Sequence, residues 1–135
     1  MERREYKMAK TIALCGVNEE ITHTLERYGD YRLLNFYDEP ERRGNVKLAY
    51  SMLYGIPVAL AVVGYSGAEG LAACDYLRAQ NHALPILWLC DRREFESEAM
   101  RLGVNFYSTG SPVVEPAIAV ILKTIHTKVS EGGTT

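Results

Sequence analysis

The sequence predicts a doubly wound α/β domain built on one five-stranded parallel sheet. Three observations carry the prediction. Short apolar runs (TIALCG, VALAVV and ILWLC) recur along the chain, each the length of a strand buried on both faces. Between the runs lie segments with apolar residues at helical spacing, most of them opened by a capping residue. Strands and helices alternate from one end to the other, and that alternation is the signature of parallel pairing through helical crossovers. At 135 residues the chain has the length of one domain, enough to bury a core without metal or disulfide support.

The elements follow in order. Residues 11–16 form the first strand. Asn18 caps the next helix, and Glu19 and Glu20 in its first turn meet the positive helix end. Ile21, Leu25 and Tyr28 recur on one face of that helix. YRLLNFY (31–37) is the second strand. Asp38 and Glu41 have capping-box spacing with Pro40 in the first turn, so a second helix runs to about Tyr54, where Gly55 ends it.

VALAVV (58–63) is the third strand, and Ser66 with Glu69 boxes the helix that carries Leu71, Cys74 and Leu77. Pro85 opens the fourth strand, ILWLC, and Asp91 with Glu94 boxes a helix that Gly103 stops after Leu102. VNFYST (104–109) is the fifth strand, and a last helix spans about 115–129. Residues 10–129 thus form the domain, with 1–9 an N-terminal extension and 130–135 a polar tail or the start of a linker.

For five strands and five helices in this length, the flavodoxin-like order 2-1-3-4-5 is the expected topology. Sites in such sheets lie at the carboxyl ends of the strands. Here those ends are residues 15–18, 62–66, 90–91 and 108–111.

Charge and composition exclude several functions. The net charge is −2, so no basic excess drives direct binding to nucleic acid. No apolar run approaches the roughly 18 residues of a membrane span. The charged start MERREYKMAK leads into no signal-peptide core, so a cytoplasmic location is expected. Cys15, Cys74 and Cys90 lack metal-site spacing and read as reduced, buried thiols. In the expected strand order one strand separates Cys15 from Cys90, or about 9–10 Å. A disulfide needs α-carbons within about 7 Å, which rules out a redox pair.

The glycines at 64, 67 and 70 raise the possibility of a phosphate loop. Their spacing is neither that of a dinucleotide loop nor that of a P-loop. The strand ends supply Gly16, Val17, Val62, Val63, Gly64, Cys90, Gly110 and Ser111, with no carboxylate, lysine, arginine or histidine among them. Phosphoryl chemistry needs a nucleophile, and magnesium needs hard oxygen ligands. Asp91 is nearby, but as a helix cap. The glycines therefore serve a turn and a close helix–strand approach.

These stretches, in this order, resemble the CheY-like receiver domain of bacterial response regulators, over about residues 10–128. KTIALCGVNEEI resembles the first strand and its acidic turn. VALAVVGYSGAEGLAACDYLR resembles the third strand, the acceptor turn and the following helix. LPILWLC and EAMRLGVNFYSTGSP resemble the fourth strand and the segment leading to the family's Lys-Pro pair.

The resemblance implies that the two acidic metal positions fall on Gly16 and Val17. It puts the phospho-acceptor at Val62, the hydroxyl position at Cys90 and the lysine at Gly110, with Ser111 in place of the proline. It leaves Tyr107 where the family keeps its rotating switch aromatic. All five chemical positions are changed, which implies a degenerate receiver that takes no phosphoryl group, binds no metal, needs no cofactor and is not an enzyme.

Such a module would act by phosphorylation-independent protein–protein interaction. Its surface would be the face of the fourth helix, fifth strand and fifth helix, toward a protein partner or a second copy. An output domain in a longer chain, through which transcription could be regulated, is a further expectation. On the last helix Ile118, Leu122, Ile125 and Val129 read as the core stripe, with Ile121 beside it. Val113, Ala117 and Val120 lie roughly opposite, as an interface stripe would. The alternative function is a small-molecule sensor that uses the vacated acceptor pocket.

Overall fold

Every strand register in the sheet is parallel, and among the described residues helices cover both of its faces. The computed structural model describes residues 10–28, 31–36, 58–65, 67–108 and 116–125. The strands are β1 (Lys10–Cys15), β2 (Tyr31–Phe36), β3 (Leu60–Val63), β4 (Ile86–Leu89) and β5 (Asn105–Tyr107). The helices are α1 (Glu19–Tyr28), α2 (Gly67–Gln80), α3 (Glu96–Arg101) and α4 (116–125). The sheet order is β2-β1-β3-β4-β5, as the sequence predicts. The helix expected up to Tyr54 lies outside the described residues, as do Ser66, Thr109, Gly110, Ser111, Pro112, Val113, Val129, the N-terminal extension and the tail.

The register divides the core in two. Leu14, Val62 and Leu87 form one row across β1, β3 and β4. They face the layer of α1 and α4, among Val17, Ile21, Leu25, Ala117, Ile118, Ile121 and Ile125. Cys15, Val63, Trp88 and Phe106 form the next row and face the layer of α2 and α3. All of β3 is buried, which is why its sequence is apolar without alternation. Val62 is fully buried at 0% exposure, and that burial stabilises by about 1.5–3 kcal/mol.

Local signals account for two of the helix ends. Asn18 Oδ1 accepts from the Glu20 backbone N–H at 2.6 Å, the cap the sequence predicts. Gly103 ends α3 in the left-handed region, at φ +70°. The start of α3 differs from expectation. A 3₁₀ turn, Arg93–Phe95, precedes the helix, and neither Arg92 nor Phe95 caps its element through a side chain. Within that turn Glu94 pairs with Arg92 at 2.6 Å. The tighter turn brings Phe95 against Trp88, with ring centroids 5.9 Å apart.

The core stripe of α4 is also rotated from expectation and centres on Ile121. Ala117, Ile118, Thr124 and Ile125 are buried beside it. Leu122 and Val120 are half-buried on its two flanks, and the outer face is Pro116, Ala119 and Lys123. Ala117, expected at an interface, lies in the core at 1% exposure. The reason is the i, i+4 ladder Ala117–Ile121–Ile125, which meets the sheet directly.

Candidate functional site at the strand ends

The carboxyl ends of β1 and β3 meet backbone to backbone. The Gly64 N–H donates to the Cys15 carbonyl at 2.9 Å. A Cβ on Gly64 would lie 2.6 Å from the Gly16 oxygen and 3.0 Å from the Val17 Cα. No side chain fits there, so the first glycine of GYSGAEG lets two loops touch. Gly16 itself has φ +69°, a conformation that glycine adopts without strain.

Tyr65 follows directly and covers Gly16. A Cβ on Gly16 would lie 2.6 Å from Tyr65 Cδ1 and 2.8 Å from Cζ, so the phenol ring occupies the glycine's side-chain space. Tyr65 is 8% exposed and belongs to the cluster with Cys15, Val63, Trp88 and Cys90. Its carbonyl accepts from Trp88 Nε1 at 2.8 Å. Gly70 makes room for that bond, because a Cβ there would lie 2.7 Å from Trp88 Cε2. Gly67 begins α2 at φ +61°. The three glycines thus serve an approach, a helix start and a second approach, as expected of a turn.

Gly16 and Gly64 adjoin at the rim. Val17 and Val62 lie together in the α1–α4 cluster, and Val62 is held inside the sheet between Leu14 and Leu87. Cys90 lies in the opposite cluster, where its sulfur accepts from the Arg92 N–H at 3.4 Å. The Cys90 N–H donates to the Tyr107 carbonyl at 3.0 Å. The Tyr107 ring is half-buried against the Val62 cluster, and Gly110 falls outside the described residues.

These residues do not fit a magnesium ion. Gly16, Val17, Val62 and Gly64 offer backbone and hydrocarbon where hard oxygen ligands are required. Among the described residues no group of three or more His, Cys, Asp or Glu is placed to hold a metal. Two of the thiols, Cys15 and Cys74, are poor nucleophiles as well. Burial pushes the Cys15 thiol up to about 12 and raises that of Cys74 further. Among the described residues no helix is long and apolar enough to cross a membrane.

Two residues that shape the site are not singled out by the sequence: Trp88 lies outside the expected strand ends, and Tyr65 lies within 62–66 without a role assigned to it. A signal existed. Trp88 is the chain's only tryptophan, and it interrupts a strand of aliphatic residues. Tyr65 is the one bulky residue between Gly64 and Gly67.

No family model and no curated protein matches the chain. Solved structures do. A CheY-like response regulator receiver domain protein from Methanospirillum hungatei JF-1 matches with a TM-score of 0.68 at 10% identity, over 92% of this chain and 99% of that one. A DNA-binding response regulator of the LuxR family from Staphylococcus aureus matches with a TM-score of 0.65 at 13% identity, over 86% and 98%. A cobalamin-binding protein from Desulfitobacterium hafniense DCB-2 matches with a TM-score of 0.58 at 14% identity, over 87% of this chain and 59% of that one. At such identities the likeness carries the architecture and not the activity. The chain has the flavodoxin-like, CheY-like fold of response-regulator receiver domains.

Proposed function

We propose that the chain is a degenerate receiver, a signalling module that works by protein–protein interaction and takes no phosphoryl group. The observation that carries this reading is the composition of the rim. Gly16 and Gly64 touch through their backbones, Tyr65 covers Gly16, and Val62 is sealed inside the sheet. A phosphoryl acceptor needs a nucleophile with a cation beside it, and these residues provide neither. The reading makes the module cytoplasmic and non-enzymatic. It docks a protein partner or a second copy through the face of α3, β5 and α4, with Tyr107 as the aromatic on that side. An output domain in a longer chain would be its effector, and direct contact with nucleic acid is not required.

The test is incubation with acetyl phosphate and magnesium, followed by intact mass. The unmodified mass is expected. A stable adduct of about 80 Da, one phosphoryl group, mapping to the strand ends would overturn the reading.

The cobalamin-binding neighbour supports a second reading, a ligand-sensing domain on the same fold. In this chain the space beside Gly16 holds the Tyr65 ring, so a ligand there would have to displace it. A thermal-shift screen separates the two readings. A ligand that stabilises the wild-type chain and loses its effect in Tyr65→Trp favours sensing.

A further inference from the structure

Trp88 touches three separate parts of the chain while fully buried. Its indole N–H donates to the Tyr65 carbonyl at 2.8 Å. Its ring meets Phe106 of β5 edge-on, with centroids 5.3 Å apart. It meets Phe95, in the turn that opens α3, at 5.9 Å. The Arg92 guanidinium lies over the Phe95 ring, 5.6 Å from its centroid. Gly70 is what allows the indole to reach the Tyr65 carbonyl at all.

From these contacts we infer that Trp88 is the positioning residue of a conformational latch. It holds the Tyr65 loop over Gly16 and ties that loop to β5 and to the head of α3. The backbone of Tyr65 cannot move away from the β1 end without either giving up the indole N–H or pulling the indole with it. A displaced indole in turn loses its packing on Phe106 and Phe95. A closely packed interior does not deform smoothly, so the rim and the α3–β5 edge open and close together. The inference goes beyond the proposed function, because it holds whether the rim takes a ligand or takes nothing.

Native-state hydrogen exchange on the whole chain tests the latch. Trp88→Phe keeps an aromatic ring near Phe106 and Phe95 and deletes the N–H. The expected result is that the Gly64 amide, which donates to the Cys15 carbonyl at the rim, loses protection by about tenfold, the scale of one lost buried hydrogen bond. The Cys90 amide, which donates to Tyr107 of β5, loses protection with it, while Ile12, Ala13 and Leu14 of β1 keep theirs. Loss at the rim alone overturns the coupling, and so does uniform loss that includes β1. If Trp88→Phe does not fold, Phe106→Leu replaces it, since it leaves the indole and Tyr65 intact. Lowered protection at the Gly64 amide then supports the latch, and unchanged protection there overturns it.

Discussion

A methyl group on Gly16 would lie 2.6 Å from Tyr65 Cδ1, so the tyrosine ring stands where a side chain at position 16 would go. Gly16→Ala should therefore cost about 2–4 kcal/mol. Roughly 1–2 come from the left-handed backbone, and the rest comes from overpacking. In a Tyr65→Ala background the overpacking part should vanish, leaving the backbone cost alone. Urea unfolding of the four proteins checks this. Strictly additive effects would mean that the ring and the glycine do not share this space.

The buried thiols should be inert in the native chain. At pH 8 iodoacetamide should label none of Cys15, Cys74 and Cys90, and should label all three in urea. Stability should also depend on pH in a defined window. The folded-state value of Cys15 lies near 12, above the ordinary thiol value of 9.0. The unfolded chain therefore loses its proton first, and this contribution to stability falls as pH rises from about 9 to 12. The limiting slope is about 1.4 kcal/mol per pH unit for each such thiol. Cys15→Ala should flatten the decline seen by urea unfolding across that window.

Arg78 joins two turns through backbone carbonyls. Its guanidinium donates to Leu102 at 2.8 Å, Gly103 at 3.1 Å, Asn81 at 3.2 Å, His82 at 3.0 Å and Leu84 at 2.6 Å. Arg78→Met should cost about 2–3 kcal/mol, since several charge-assisted bonds go at once. Arg78→Lys should recover less than half of the loss, because a point charge cannot reproduce the planar fork. Thermal unfolding of both variants decides it, and full rescue by lysine would count against the fork.

On the last helix, Ala117→Glu should destabilise by about 3 kcal/mol or more, because it buries an unpaired carboxylate in the core. Ala119→Glu, on the exposed face, should stay within about 0.5 kcal/mol of wild type. Val120→Glu lies on the flank and is the variant for association. If the α3–β5–α4 face pairs two copies, this change should shift the solution mass toward the monomer. A strict monomer at high micromolar concentration before mutation would sink the pairing.

Much of the fold was legible because the sequence repeats one physical device. Apolar runs too short for helices, alternating with capped amphipathic segments, admit a parallel sheet with both faces covered and little else. The lack of polar side chains at Gly16, Val17, Val62 and Gly64 was legible too, since it holds whatever their arrangement. Helix entry was less so. At Arg93–Phe95 a 3₁₀ turn that packs Phe95 on Trp88 precedes the helix, a long-range contact that no local pattern announces, and at Ala117 the orientation of the helix on the sheet decided what a wheel alone could not.

The amino-acid sequence by itself determined the order of the elements and the lack of any carboxylate or basic side chain at Gly16, Val17, Val62 and Gly64, because burial patterns and side-chain chemistry are local properties. Only the tertiary structure decided what fills the rim. Tyr65 reaches Gly16 and Trp88 reaches Tyr65 across a turn and a neighbouring strand, and those distances are set by how β1, β3, β4 and α2 pack together.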